Sequence, residues 1–311
     1  MPSIKDKIGN EGACIQNYRV IGSIAKGVLS EVKLVERDGC RYAMKIFNTA
    51  DNSCVQSISP TGTVIIHHRE YRPRSEIPIT SVSSTGTVII GHGADVPCPD
   101  DPIDVFSHEA SVWAKVTAEA GDSVVGLIDF GKDPYPWMVM DLADRDLGDA
   151  ISRHEVSAND IVGLLRALQR IHDIGVVHLD IKPENILSIH GGWRFSDFGT
   201  SRCVSTSPMG PMMGTPEYMA PEQFAPSRFG EPDIRTDIWQ MGVLAYRILA
   251  GRSPYSGIDA KDPAAAICII GPDIDALPEK YRAAISKALS PNKEDRYASA
   301  SEFADALVAI I

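Results

Sequence analysis

His178-Leu179-Asp180-Ile181-Lys182-Pro183-Glu184-Asn185 sets a carboxylate, an ammonium and an amide within eight residues, and Asp197-Phe198-Gly199 begins twelve residues beyond Asn185. That set suits phosphoryl transfer. One carboxylate can orient a hydroxyl and accept its proton, while the Asn and the other carboxylate offer hard oxygen ligands to Mg²⁺. Taken singly, each of these charges reads as a solvated surface group. Their joint spacing makes chemistry the better reading.

Such residues need a scaffold that brings separated segments together. The chain has 311 residues, 44% of them apolar and 23% charged, which is enough for a large core. Lys and Arg number 30 against 41 Asp and Glu, a net charge of -11. This argues against nucleic acid as a partner, because a phosphate-backbone binder needs a basic footprint. It argues equally against a polybasic membrane anchor. The six cysteines are scattered without a C-x-x-C pair, so a zinc site is not expected and reduced thiols fit an intracellular protein, cytoplasmic or nuclear. The N-terminus has no apolar signal core, and Pro2 stands where myristoylation needs glycine. Gly242 to Ala250, the most apolar helical run, is interrupted by Arg247 and is too short to span a bilayer.

Strand patterns run over Tyr18–Ile21, Val32–Val35 and Arg41–Ile46, with Asp38-Gly39 as a hairpin signal between the last two. Residues 50–104 are rich in Ser, Thr, Pro and Gly and hold a repeat. Ser57 to His68 and Ser81 to His92 agree at nine of twelve positions, at an offset of 24. Two copies fall short of a solenoid. Their Thr-Val-Ile-Ile runs predict either two strands paired as a ribbon or an insertion without fixed structure. His67, His68 and His92 lack Cys or carboxylate companions at ligand spacing, so no metal is expected there. From Phe106 the period is helical, with Phe106, Ala110, Trp113 and Ala114 near one face. Strands are predicted at Val124–Ile128 and Trp137–Met140. Helices follow, with apolar stripes through Ile161, Leu164, Leu165, Leu168 and Ile171, through Ile238, Met241, Leu244, Ala245 and Ile248, and from Phe303 to Ile310. A strand-rich first part and a helix-rich second part predict two lobes with a ligand cleft between them.

At this point the sequence resembles the eukaryotic-type protein kinases, through an ordered series of motifs. Ala43-Met44-Lys45 stands for the strand lysine and Glu109 for its helix partner. His178-x-Asp180-x-Lys182-x-x-Asn185 stands for the catalytic loop and Asp197-Phe198-Gly199 for the metal motif. Gly214-Thr215-Pro216-Glu217-Tyr218-Met219-Ala220-Pro221-Glu222 resembles the substrate segment, and Asp237-Ile238-Trp239-Gln240-Met241-Gly242 the helix that anchors the large lobe. Arg296 falls where the family places the partner of Glu222. The resemblance covers about residues 16–310. It implies an α+β, bilobal protein kinase-like fold. A 1–15 extension precedes a kinase unit at 16–311, with a small β-rich N-lobe (16–141, insertion about 50–104) and a larger helical C-lobe (142–311).

The resemblance also implies roles. Lys45 holds the α- and β-phosphates of ATP and Glu109 fixes it. Asp180 is the base and Lys182 neutralises the transferring phosphoryl group. Asn185 and Asp197 ligate Mg²⁺. Val32, Ala43 and Leu187 sandwich the adenine, Met140 is the gatekeeper, and the backbone of Asp141 and Ala143 bonds the adenine edge. The activity implied is phosphorylation of protein Ser/Thr hydroxyls, on the strength of Lys182 after Asp180 and Thr215 before Pro216. Glu184 and the net charge add a basic peptide as a possible substrate.

Three features depart from the pattern. In the phosphate loop, Ala25-Lys26-Gly27-Val28-Leu29-Ser30-Glu31-Val32, only Gly27 of the three glycines survives. Glycines let backbone approach phosphate closely, so this favours an alternative: a pseudokinase-like interaction module with weak ATP binding. Leu179 stands where many kinases carry an Arg that pairs with an activation-loop phosphate, a pair that leucine cannot make. Activity independent of phosphorylation at Ser205, Thr206 or Ser207 is therefore expected. The His-Leu-Asp-Ile-Lys-Pro run also resembles the catalytic loop of the Wee family of cell-cycle kinases, with nothing outside it to extend the likeness. The third departure is the insertion between Lys45 and Glu109, read as decoration or as a regulator of the Glu109 helix.

Overall fold

The computed structural model describes residues 12–26, 30–47, 102–203, 212–256, 267–268 and 271–311, plus the backbone of four short strands within 57–90. Gly27, Ser205, Thr206, Ser207, His67, His68 and His92 lie outside the described residues.

The N-lobe is built on β1 (Cys14–Ile15), β2 (Tyr18–Lys26), β3 (Ser30–Arg37) and β4 (Cys40–Phe47). β1 falls within the stretch read as an extension and pairs with β2, Ile15 opposite Tyr18. Between β3 and β4, Asp38 (φ 53°) and Gly39 (φ 77°) both take left-handed backbone. A two-residue turn of that kind matches the right-handed twist of the flanking strands. The insertion contributes β5 (Ser57–Ile58), β6 (Val64–Ile65), β7 (Ile79–Val82) and β8 (Val88–Ile90). The two Thr-Val-Ile-Ile runs do not pair with each other. Each folds back on its own copy, β6 on β5 and β8 on β7. Connections of about five residues with a glycine close such local hairpins more readily than a pairing between copies.

Helix α1 (Pro102–Ala120) follows. It buries Phe106, Ala110 and Trp113 of the predicted face, while Ala114 is only partly buried. The chain returns through β9 (Leu127–Gly131) and β10 (Trp137–Asp141), completing a six-stranded sheet in the order β1-β2-β3-β4-β10-β9. The strand predicted at Val124–Ile128 thus begins three residues late. Val124 and Val125 are fully buried between the lobes, where the Val125 amide donates to the Phe195 carbonyl at 2.8 Å. Val124 makes only an isolated parallel bridge, with Phe195, so the apolar signal there reports burial more than membership of the sheet.

The C-lobe begins with β11 (Arg145–Asp146), α2 (Leu147–Ser152) and α3 (Ala158–Asp173). Ser157 and Asp160 close a capping box at the start of α3. Then come β12 (Val176–Val177), β13 (Ile186–Ile189), β14 (Gly192–Phe195), β15 (Arg202–Cys203) and β16 (Met212–Gly214). The helices α4 (Pro221–Phe224), α5 (Pro226–Phe229), α6 (Ile234–Ala250), α7 (Glu279–Ala288) and α8 (Ala300–Val308) finish the lobe. Each predicted stripe falls on such a helix, α3, α6 and α8, though the last runs two residues past the end of α8. Helix α6 is buried along most of its length and stops at Gly251 (φ 71°), where a left-handed residue caps it. One apolar core runs from Phe47, Phe106 and Met140 through Phe198 into Trp239 and Phe303, so it crosses between the lobes. A second, smaller core on the outer face of the sheet holds Tyr18, Val35, Met44 and Trp137. Strand β8 also pairs antiparallel with β16, Val88 opposite Gly214 and Ile90 opposite Met212, so the insertion reaches the segment that precedes Thr215.

Candidate active site

The cleft between sheet and helices gathers the predicted residues from five separate stretches. Lys45, on β4, is held by two carboxylates. Its Nζ lies 2.7 Å from Glu109 Oε1 on α1 and 3.2 Å from Asp197 Oδ1. Burial alone would lower the Lys45 pKa, but Asp197 and Glu109 outweigh it, so the ammonium is held well above its ordinary value. Burial pushes the Glu109 carboxyl up to about 7, against the pull of Lys45. At Asp197 the cost of desolvation runs the same way, but Lys45 and Lys182 overcome it and hold the carboxyl down at about 2. Asp197 is thus an anion at neutral pH. Its backbone is left-handed (φ 62°), a conformation that costs a non-glycine residue energy and is kept where the surroundings over-determine it.

Asp180 sits at the floor, nearly buried. Its Oδ1 accepts from the Thr215 amide at 3.0 Å and from the Thr215 hydroxyl at 3.1 Å. Its Oδ2 lies 3.0 Å from Lys182 Nζ and accepts from Asn185 Nδ2 at 3.1 Å. Lys182 Nζ also donates to the Thr215 hydroxyl at 2.9 Å. Sequence reasoning used Thr215 only as a mark of substrate class. Its hydroxyl bridges Asp180 and Lys182, a contact without a local sequence signal because 35 residues separate Thr215 from Asp180.

Asn185 and Asp197 each present an oxygen toward the site. Asn185 Nδ2 donates to the Asp180 carbonyl at 2.9 Å, which leaves the amide oxygen as the atom to face a cation. Asp197 keeps its carboxyl half-exposed. No three His, Cys, Asp or Glu converge among the described residues. A Mg²⁺ ion shared with phosphate oxygens needs no such cluster, since it is usually held by one or two protein groups.

Above the floor, Val32 on β3 is directly opposite Lys45, and Ala43 on β4 is opposite Met140 on β10. Ala43 and Met140 belong to the main apolar core, and Val32, Ala143 and Leu187, partly buried, pack against it. Asp141 ends β10, and its amide donates to the Gly126 carbonyl at 3.1 Å. Ala25 is exposed on β2, opposite Val32. Among the predicted site residues, Lys45, Glu109 and Asp197 meet directly, as do Asp180, Lys182 and Asn185.

Behind the floor, Phe198 packs between Trp113 and His178, with ring centroids 5.7 and 5.1 Å away. Trp113 also donates to the Val125 carbonyl at 2.7 Å, which fixes α1 against the segment that leads into β9. Asp237 accepts from the His178 and Leu179 amides, each at 2.8 Å, and so suspends the catalytic loop from α6.

The fold is two-lobed, and a buried lysine–carboxylate pair, Lys45 with Glu109, ties β4 to α1. Residues 100–308 match the family described as Protein kinase domain. The chain belongs to that family, within the eukaryotic-type protein kinase superfamily. It is 34% identical over 218 residues to the serine/threonine-protein kinase PknL of Mycobacterium tuberculosis (strain CDC 1551 / Oshkosh), over 63% of this chain and 51% of PknL. It is 35% identical over 200 residues to the serine/threonine-protein kinase PknA of M. tuberculosis (strain ATCC 25177 / H37Ra), over 58% of this chain and 44% of PknA. The chain thus spans about half the length of these relatives, or less. The crystal structure of the M. tuberculosis PknI kinase domain shares the fold, with a TM-score of 0.61 and 19% identity over 96% of this chain and 98% of that one. No helix among the described residues is long and apolar enough to cross a membrane.

Proposed function

We propose that this chain transfers the terminal phosphoryl group of Mg-ATP to Ser/Thr hydroxyls of protein substrates. The observation that carries this reading is the convergence of Thr215, Lys182 and Asn185 on the Asp180 carboxylate while Lys45 is paired with Glu109. In-line transfer relies on positioning and electrostatic stabilisation rather than covalent catalysis. Asp180 is the base that orients the acceptor hydroxyl. Lys182 offsets charge on the transferring group, and Lys45 holds the nucleotide phosphates. Asn185 and Asp197 would hold Mg²⁺, which neutralises phosphate charge when bound. Val32, Ala43 and Leu187 would enclose the adenine, Met140 would be the gatekeeper, and the Asp141 and Ala143 backbone would meet its edge. Ala25 and Gly27 belong to the phosphate loop.

Ser/Thr preference is supported by the Lys182–Thr215 contact and by the names of the relatives. A basic peptide is supported by exposed Glu184 and Glu217 near the catalytic loop, although Arg247, 3.9 Å from Glu217, dilutes that charge. The scaffold alternative gains nothing from the site, since Lys45, Glu109, Asp180, Lys182, Asn185 and Asp197 are all in place. The test is transfer of the terminal phosphate from Mg-ATP to generic protein substrates, wild type against Asp180→Asn. A loss of at least ~10³-fold in the variant is expected. Wild-type transfer no higher than the variant's, with Mg-ATP failing to raise the melting temperature, refutes the proposal.

A further inference from the structure

The backbone around Asp180 is gripped by side chains that the catalytic set does not include. Leu179 is left-handed (φ 67°), a costly conformation for a branched residue that must be held by its surroundings. Its amide is bound by Asp237. Its carbonyl takes two donors, Gln240 Nε2 at 2.9 Å and Gln223 Nε2 at 3.0 Å. On the other side of Asp180, the Ile181 amide donates to Gln240 Oε1 at 2.8 Å. Gln240 Nε2 also donates to Gln223 Oε1 at 2.9 Å, and that oxygen accepts from the Ala220 amide at 3.0 Å. Gln240 is fully buried and Gln223 nearly so.

The amide orientations are fixed by this chain of bonds. The Ile181 amide can only donate, so it needs Oε1 of Gln240. That turns Nε2 of Gln240 to the Leu179 carbonyl and to Gln223 Oε1. The Ala220 amide demands the same Gln223 oxygen, which leaves Gln223 Nε2 for Leu179. Every donor meets an acceptor in one arrangement, and flipping either amide sets like groups against each other.

We infer that Gln240 and Gln223 are positioning residues for Asp180, forming an amide bridge from α6 through the catalytic loop to the substrate segment. This inference rests on the phosphotransferase reading of the site. The Leu179 side chain is apolar and buried, so this position offers no cation to tie the loop to a phosphate. Gln223 directly follows Glu222, so the amide pair ties the Leu179 carbonyl to the end of the substrate segment with neutral hydrogen bonds that need no modification. Buried amides in a low dielectric are worth most when every partner is satisfied, and losing one leaves desolvated backbone groups unpaired.

The test compares wild type, Gln240→Met, Gln240→Glu, Gln223→Met and the double Met variant, with Asp180→Asn as a blank. Met keeps the length of the side chain and removes both polar atoms. For Gln240→Met we expect kcat to fall ~10- to 100-fold, as small misplacements of a catalytic group do, while the KM for ATP stays within about two-fold. The double variant should lose little more than the worse single one, because both act on one carbonyl. Glu at 240 keeps the acceptor for Ile181 and donates to Leu179 only when protonated. Its activity relative to wild type should therefore rise as pH falls, a dependence that general destabilisation does not produce. Amide exchange at Ile181 supplies a second readout: protection in wild type and at least ~10-fold less in Gln240→Met. Unchanged kcat in both Met variants, or equal exchange at Ile181, overturns the inference. If wild type shows no transfer above Asp180→Asn, the proposed function fails, and the exchange data alone decide whether the bridge exists.

Discussion

Replacing Arg296 with Ala should be among the most damaging single changes in the C-lobe. Arg296 and Glu222 are both fully buried and meet in two parallel bonds, at 2.7 and 2.8 Å. The guanidinium also donates to the carbonyls of Ser290, Arg235 and Pro291, and it lies 5.0 Å from the Trp239 ring centroid. Removing it leaves the Glu222 carboxylate in the interior with the Thr236 hydroxyl, 2.8 Å away, as its remaining described donor, and it deprives three carbonyls of partners. Breaking a buried pair in this way costs about 3–5 kcal/mol. Replacing both members, Glu222→Leu with Arg296→Met, removes the stranded charge and should cost less than the sum of the single changes by about 2 kcal/mol or more. Urea unfolding followed by tryptophan fluorescence is a suitable assay, because Trp239 lies beside the pair. An Arg296→Ala variant within about 1 kcal/mol of wild type, or a double variant that is strictly additive, would refute this account of the lobe's anchoring.

Three further outcomes are expected. Glu109 has a folded-state value of about 7 against an ordinary 4.5, so the native state binds more protons than the unfolded chain between those values, and this group adds stability as pH falls from about 7 to about 4.5. Urea midpoints of wild type and Glu109→Gln should therefore diverge in slope across that window, and parallel profiles would contradict it. Deleting residues 57–92 removes the strand paired with β16, next to Thr215. The KM for peptide should rise several-fold with the KM for ATP unchanged, and identical constants would make the insertion decorative. Ser205, Thr206 and Ser207 changed together to Ala should retain peptide phosphorylation; a loss of ~100-fold, about 2.7 kcal/mol of barrier, would show that a phosphate is needed after all.

Much of the site is legible because its parts lie in short, ordered runs. Lys45, Asp180, Lys182, Asn185 and Asp197 each have neighbours that identify them, and Glu109 falls on a helix whose period is visible. The roles of Gln240 and Gln223 are not legible. A glutamine on a buried helical face breaks the apolar pattern without revealing its partner, and Gln240 meets Ile181 across 59 residues. The strand predicted at Val124–Ile128 shows the same limit, since a Val-Val pair marks burial but not which surface buries it. The repeat is visible as a repeat, yet β-prone runs say nothing of register. Whether each run pairs within its copy, between copies or with β16 depends on backbone geometry that side-chain composition does not encode.

The contact between β8 and β16 bears on how the protein assembles. Ile90 and Met212 are on the order of 120 residues apart in the chain, and closing a loop of that length in an unfolded chain costs ~4 kcal/mol. A few ladder bonds between short strands do not offset that by themselves. Once the six-stranded sheet has docked on the helical lobe through the shared apolar core, the ends are already near one another and most of the cost is gone. The pairing should therefore form late in folding, after lobe docking. The contacts around Asp180, which lie within the C-lobe, should then be in place before the insertion strand reaches β16.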